Sequence, residues 1–116
     1  MTPFGQRLRA LREARGITLT ELARALQVSA AYLSALEHGR RGKPSVGLIH
    51  QVNEHFGLIW DEAEEMVRLA RVSHPRVVVD TAGLSPAATE LANLLARHIR
   101  DLPEGEVAAL LRQLSA

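Results

Sequence analysis

Two short predicted helices joined by a tight turn constrain this chain more than any other feature. Thr18 and Ser29 are hydroxyl residues of the kind that cap helix N-termini, and Glu21, three residues after Thr18, completes a capping box. The few residues between the two helices leave room only for a sharp turn, so residues 16–39 predict a helix-turn-helix unit. Its predicted core residues, at helical spacing, are Leu22, Ala23, Leu26, Leu33 and Leu36.

Further amphipathic segments on both sides of this unit predict an all-α bundle of five helices over residues 1–71. A first helix ends near Gly16, and a fourth is capped by Ser45 and ends at Gly57. Asp61 and Glu64 predict a second capping box at the start of a fifth helix. Trp60 is expected to fill the core between the fourth and fifth helices.

Residues 72–116 predict an extended segment followed by a helical dimerisation region. The extended segment Val77–Val79 is β-branched and has no second strand in this chain, so it either pairs with its copy in another subunit or serves as a connector. One leucine-rich helix follows Ser85-Pro86. Pro103 and Gly105 interrupt it, and a last leucine-rich helix comes after them. Their apolar faces either form an interface or dock on the bundle. The predicted dimerisation residues are Val77, Val78, Val79, Leu91, Leu94, Leu95, Ile99, Leu102, Leu110 and Leu111.

The charge is distributed unevenly along the chain. Residues 1–45 carry eight basic and three acidic side chains, whereas residues 46–116 carry six basic and ten acidic ones, within a net charge of +1. Such an asymmetry indicates that one end faces a polyanion and the other faces water or protein. Because the basic excess coincides with the helix pair, it favours double-stranded DNA as a partner.

Several other classes of function lack the residues they need. The chain has no cysteine, which excludes disulfides and thiolate metal sites, and His50 and His55 are too far apart on one helix to share a face. No carboxylate is paired with a nucleophile, a phosphate-binding loop or a metal cluster, so we expect neither an enzyme nor a cofactor or metal. No apolar run is long enough for a membrane span or a signal peptide, so a cytoplasmic location is expected.

The stretch from Phe4 to Gly57, about half of the chain, resembles the Cro/phage-repressor type of helix-turn-helix, the xenobiotic-response-element (XRE) family of bacterial regulators. The motifs that carry the resemblance are Leu11-Arg12, Gly16-Ile17-Thr18, Glu21-Leu22-Ala23, Val28-Ser29, Tyr32-Leu33-Ser34, Leu36-Glu37, Gly39 and Pro44-Ser45. The resemblance implies that Arg12 and Glu37 form a structural ion pair.

The resemblance also implies that the third helix, Ser29–Leu36, is the recognition helix. The residues expected to contact DNA are Thr18, Ser29, Ala30, Ala31, Tyr32, Ser34, Ala35, His38, Arg40, Arg41 and Lys43. Relatives often carry long polar side chains where this chain has alanines, and alanine can contact only a thymine methyl group. Gln27 stands where relatives commonly have glycine. If this position has a positive φ, glutamine costs on the order of 1 kcal/mol there.

These observations predict a sequence-specific transcriptional regulator, expected to be a repressor, that binds a palindromic operator as a homodimer. Two-fold pairing is expected because one recognition helix contacts too few base pairs for specificity. In a two-fold dimer the second recognition helix lies about one DNA turn away. The alternative is an antitoxin or protein-interaction adaptor whose C-terminal helices bind a different protein.

Overall fold

The computed structural model describes residues 1–115, and over these residues the protein is helical and contains no strand. The chain divides into two compact units, Met1–Val77 and Val78–Ala116. The first unit contains α1 (Pro3–Ala14), α2 (Leu19–Leu26), α3 (Ala30–Glu37), α4 (Val46–Phe56) and α5 (Asp61–Arg71). The second contains α6 (Pro86–His98), a 3-10 turn (Ile99–Asp101) and α7 (Glu104–Ser115).

Side-chain caps set the starts of the helices around the turn. The Thr18 hydroxyl accepts a hydrogen bond from the Glu21 backbone N–H (3.1 Å), and the Glu21 carboxylate accepts one from the Thr18 N–H (3.1 Å). Ser29 accepts from the Tyr32 N–H, and Ser45 caps α4 in the same way. The predicted capping box and the two predicted serine caps are therefore confirmed.

The core of the first unit lies between these five helices. Helix α1 packs against α3 and α5, α2 packs against α3 and α4, and α4 packs against α5. All five core residues predicted within the helix pair are buried, which confirms the helical spacing. The buried apolar residues are Phe4, Leu8, Leu22, Ala23, Leu26, Leu33, Leu36, Leu48, Ile49, Val52, Phe56, Leu58, Met66 and Ala70.

A buried serine closes the unit by joining its first helix to its last. The Ser73 hydroxyl accepts a hydrogen bond from the backbone N–H of Phe4 (2.9 Å) and donates one to the carbonyl of Leu69 (2.6 Å). One side chain thus satisfies a free amide at the start of α1 and a free carbonyl at the end of α5. No local sequence pattern indicates this contact, which joins residues 69 positions apart.

The structure corrects the predicted start of α5. No side chain caps this helix: the residue before it is Trp60, at φ 52° and ψ −124°, so the Asp61–Glu64 capping box is wrong. The Trp60 side chain is 82% exposed, so the prediction that it fills the core is also wrong. The reason is the end of α4, where Gly57 turns left-handed and the Leu58 N–H bonds to the Asn53 carbonyl (2.8 Å). That turn puts Leu58 into the core and leaves the next two side chains outside.

The second unit begins with polar turns. The Asp80 carboxylate accepts a hydrogen bond from the Ala82 N–H (2.9 Å), and Ser85 caps α6, with Pro86 at its first position as predicted. Gly105 lies inside α7, so it does not interrupt a helix; the break is the 3-10 turn and Pro103. No side chain in the described part of this unit is fully buried.

The segment Val77–Val79 is exposed and forms no strand within the single chain. Pairing of this segment with a second subunit stays a prediction. Of the predicted dimerisation residues in the second unit, the leucines of α6 and α7 and Ile99 in the 3-10 turn are exposed, while Leu102, just after that turn, is half-buried.

Gly5 permits the close crossing of α1 and α3. A Cβ atom at this position would collide with the carbonyl oxygen of Leu36 and lie 2.8 Å from that of Glu37, and neither backbone group can move away independently. We expect Gly5→Ala to lower the free energy of unfolding, measured in urea, by about 2 kcal/mol. The matched control is Gly47→Ala in α4, where a Cβ meets only the Ser45 hydroxyl at 4.0 Å. That variant should gain up to about 1 kcal/mol, and equal effects of the two changes would contradict this account.

Gln27 adopts the left-handed conformation, with φ 58° and ψ 40°, at the end of α2. Glycine avoids the steric cost that a Cβ atom brings there, so Gln27→Gly should raise the free energy of unfolding by about 1 kcal/mol. Gln27→Ala keeps the Cβ atom and should give no such gain. Urea titrations of the three proteins measure the difference, and a loss of stability in Gln27→Gly would show the backbone conformation to be wrong.

Candidate nucleic-acid interface

The outer face of α3 gathers six of the predicted contact residues. The inner face of this helix is buried through Leu33, Leu36 and Glu37. On the outer face Ala31 is exposed, and the other members of the set lie half-buried or at the helix start. The six residues are Ser29, Ala30, Ala31, Tyr32, Ser34 and Ala35.

Polar groups on this face are few and partly engaged within the protein. The Ser29 hydroxyl is used as the helix cap. His38 Nδ1 lies 2.8 Å from the Ser34 carbonyl oxygen, and since a carbonyl only accepts, Nδ1 is the donor in this contact. The Ser34 hydroxyl lies 3.4 Å from the same ring. The remaining members of the set are three alanines and Tyr32.

A basic turn follows α3 and is fixed to its last residues. The backbone N–H groups of Arg40 and Arg41 both bond to the Ala35 carbonyl, at 2.9 and 3.4 Å. The Arg41 guanidinium lies over the Tyr32 ring, 5.7 Å from its centre. No carboxylate in residues 1–115 forms an ion pair with Arg40, Arg41 or Lys43, all of which are exposed. The turn therefore adds uncompensated positive charge beside the outer face of α3.

Thr18 lies at the start of α2 and is exposed. Its hydroxyl oxygen accepts the Glu21 N–H, which leaves the hydroxyl hydrogen able to donate to another molecule. The structure thus keeps a donor at this predicted contact position.

An ion pair ties α1 to the last residue of α3. Arg12 Nε lies 3.0 Å from Glu37 Oε2, and Arg12 Nη2 lies 3.2 Å from Glu37 Oε1, a bidentate arrangement. Arg12 Nη1 also donates to the Ile17 carbonyl (3.2 Å). The hydrogen bond from Arg12 to Glu37 raises the pKa of the guanidinium above its ordinary value. The side chains are 15% and 3% exposed, so the pair is a largely buried link beside the candidate interface.

Other N-terminal arginines are engaged inside the first unit. Arg15 donates to the His55 carbonyl (3.0 Å), with its guanidinium 4.9 Å from the centre of the Phe56 ring. Arg9 pairs with Glu13 at 2.9 Å. The Arg9–Glu13 and Arg12–Glu37 pairs each carry no net charge, so the basic excess of residues 1–45 comes from its other arginines and Lys43. The sequence contained no local signal for the Arg15 contact, which joins residues 40 positions apart.

Across residues 1–115, no helix is long and apolar enough to span a bilayer. The same residues contain no group of three or more histidine or carboxylate side chains that could hold a metal ion.

The chain belongs to the helix-turn-helix domain family, whose model matches residues 3–66, more than half of its length. This match confirms the resemblance seen in the sequence.

Relatives from two bacteria are similar over the same region. The HTH-type transcriptional repressor RghR of Bacillus subtilis (strain 168) is 46% identical over 54 residues, 47% of this chain and 40% of RghR. The uncharacterized HTH-type transcriptional regulator RghRB of the same strain is 44% identical over 52 residues, 45% of this chain and 37% of RghRB. DdrOP3, an HTH-type transcriptional regulator of Deinococcus deserti, is 42% identical over 53 residues, 46% of this chain and 40% of DdrOP3.

The matched part of the chain thus spans about two fifths of the length of these curated relatives. No solved structure matches the chain significantly.

The Arg12–Glu37 pair can be tested by removing its cation. Arg12→Ala leaves a buried carboxylate without a partner and should lower the free energy of unfolding by about 3 kcal/mol. Arg9→Ala is the matched control, because it removes an arginine of the same helix from an exposed pair and should change stability by less than about 0.5 kcal/mol. Urea titrations measure both, and equal losses would contradict a structural role for the buried pair.

Proposed function

We propose that this protein is a transcriptional repressor that binds double-stranded DNA through α3 and the basic turn after it. The observation that carries the proposal is the continuity of the outer face of α3 with Arg40, Arg41 and Lys43, three exposed cations that form no ion pair within residues 1–115. Membership of the helix-turn-helix family supports it, as does the repressor name of RghR. Such an activity would be exerted in the cytoplasm.

In this proposal the basic turn supplies affinity and α3 supplies sequence preference. Arg40, Arg41 and Lys43 neutralise phosphates, assisted by Thr18, Ser29 and His38 and by helix N-terminal amides. Alanines 30, 31 and 35 contact thymine methyl groups in the major groove, and Tyr32 and Ser34 lie beside them. Because no side chain of α3 can bind guanine or adenine with two hydrogen bonds, groove shape carries much of the preference.

We further propose that the protein acts as a homodimer on a palindromic operator. A single α3 covers too few base pairs, and a two-fold partner would place a second copy about one helical turn away. The dimer contact is assigned to the exposed apolar residues of the second unit and to the segment Val77–Val79. Their exposure in the single chain supports an interface, since side chains of this kind are normally covered.

The same exposed leucines in α6 and α7 support a second candidate function, that of an antitoxin or adaptor binding a different protein. Light scattering of the purified chain distinguishes the two. A stable dimer supports the homodimeric repressor, whereas a monomer favours a different partner for these helices.

The DNA-binding proposal is tested by measuring affinity against salt concentration on a duplex selected from random DNA. If a dimer neutralises about eight phosphates, the plot of log K against log salt has a slope near −7. The selected site should be a palindrome. No binding above that of a neutral control protein at low ionic strength would overturn the proposal, and a slope shallower than about −3 would contradict the dominance of phosphate contacts.

Arg40 and Arg112 offer a matched pair of single-charge variants. Arg40→Ala removes one proposed phosphate contact per subunit, so the slope for a dimer should become shallower by about 2. Arg112→Ala removes an exposed arginine of α7 and should leave the slope unchanged. If Arg40→Ala altered preference for one base and left the slope as it was, its assignment to phosphate would be wrong.

A further inference from the structure

One cation of the basic turn lies against a side chain of α3. The Arg41 guanidinium is 5.7 Å from the centre of the Tyr32 ring, within the range of a cation–π contact. Within residues 1–115 this is the one contact between a cation and an aromatic ring that involves the basic turn. The three cations of the turn therefore differ, because Arg41 contacts a ring of α3 whereas Arg40 and Lys43 do not.

This contact directs the Arg41 side chain back along α3. The Arg41 backbone N–H bonds to the Ala35 carbonyl at 3.4 Å, beside the second half of the helix. Tyr32 is the third residue of α3, about one turn earlier, and helical side chains lean toward the N-terminus of their helix. The guanidinium of Arg41 is therefore held near the first turn of α3.

Tyr32 is a fixed support for the guanidinium. Its side chain is half-buried and packs against the core of the first unit, and its backbone N–H donates to the Ser29 hydroxyl. A guanidinium that is already ordered loses less freedom when it forms hydrogen bonds to a partner. Arg41 forms no ion pair in the described part of the chain, so its N–H donors are available to another molecule.

We propose that Arg41 contacts a guanine in the major groove and that Tyr32 positions it there, an inference that rests on the DNA binding by α3 proposed above. The N-terminal residues of a recognition helix contact base edges, so a guanidinium near the first turn of α3 enters the groove with them. Two hydrogen bonds from arginine to O6 and N7 of guanine are the commonest specific base contact. The inference reassigns Arg41 from a phosphate to a base and adds one polar base contact to an interface that otherwise relies on phosphates and methyl groups.

A phosphate is the competing acceptor for Arg41. Phosphates line the edges of the groove, and contacts to them fix the protein on the duplex without carrying sequence information. An arginine that contacts phosphate has no need of a support on the recognition helix. The contact with Tyr32 instead holds Arg41 against the helix that enters the groove, which favours the base.

The contact itself can be tested by NMR on the free protein. Tyr32 is the one tyrosine of the chain, and the ring current above its face shifts nearby protons upfield. We expect the Nε–H and δ-methylene resonances of Arg41 to be shifted upfield in the parent and in Tyr32→Phe, and the shift to disappear in Tyr32→Leu. Unshifted resonances in the parent would overturn the positioning of Arg41 by Tyr32.

Arg41→Ala and Arg40→Ala form a matched pair from one turn. Their affinities are measured on the selected duplex and on duplexes in which each base pair of the half-site is replaced in turn. The parent should lose at least about tenfold in affinity when one particular G·C pair is replaced. Arg41→Ala should reduce that loss to less than about twofold and change the slope of log K against log salt by less than about 1. Arg40→Ala should keep the parental loss and make the slope shallower by about 2.

Two variants of Tyr32 separate the ring from its hydroxyl group. Tyr32→Phe should keep the guanine preference of the parent, whereas Tyr32→Leu should weaken it at least about threefold. Because the preference is a ratio of two affinities of one variant, a general loss of affinity cancels, and urea titration shows that each variant is folded. Tyr32→Leu combined with Arg41→Ala should lose no more preference than Arg41→Ala alone, since both changes act on the same base contact.

The outcomes distinguish this inference from the DNA-binding proposal. A parent that binds duplex DNA with a steep salt slope, but whose G·C preferences all persist in Arg41→Ala, overturns this inference alone. Equal loss of preference in Tyr32→Phe and Tyr32→Leu overturns the positioning role of the ring. A parent that binds no duplex at low ionic strength overturns the DNA-binding proposal and this inference with it.

Discussion

The buried pair of Arg12 and Glu37 is the interaction on which the candidate interface depends. Glu37 is the last residue of α3, and its carboxylate lies in the protein interior, where an uncompensated charge is costly. Arg12 supplies the matching charge from α1 through two parallel hydrogen bonds. Gly5, about two helical turns before Arg12 on the same face of α1, lets the two backbones approach closely enough for this contact. The orientation of α3 relative to the rest of the bundle therefore depends on a charge pair and on a missing side chain.

Contacts within the first unit, this pair among them, decide which basic side chains of the N-terminal part are already engaged. Arg9, Arg12 and Arg15 belong to the basic N-terminal part, yet each is engaged by a carboxylate or a carbonyl of the same unit. Within residues 1–115, Arg40, Arg41 and Lys43 form no ion pair, and they lie together in the turn after α3, which the Ala35 carbonyl holds in place. A polyanion would thus meet a small, fixed cationic site beside a helix face of methyl groups. This combination favours binding through phosphates and shape over binding through polar contacts to bases.

Sequence reasoning succeeded where a single short-range signal acts and failed where two such signals compete. The caps at Thr18, Ser29 and Ser45 each accept a hydrogen bond from an amide three residues away. The starts of these helices could therefore be predicted from the neighbouring residues. The start of α5 was misjudged because two acidic residues at the right spacing suggested a capping box. The competing signal was the glycine turn at the end of α4, which puts Leu58 rather than Trp60 into the core. An apolar side chain alone does not tell which of several neighbours will be buried.

The sequence by itself determined the helices of the first unit, their inward faces and the family to which the chain belongs, because capping and periodicity act over a few residues. Tertiary structure alone decided which charged side chains are held within the first unit and how its first helix is joined to its last. The reason is distance along the chain: the contacts that settle these points join residues separated by 25, 40 and 69 positions. No local pattern encodes such pairs, since they exist only once the helices have packed.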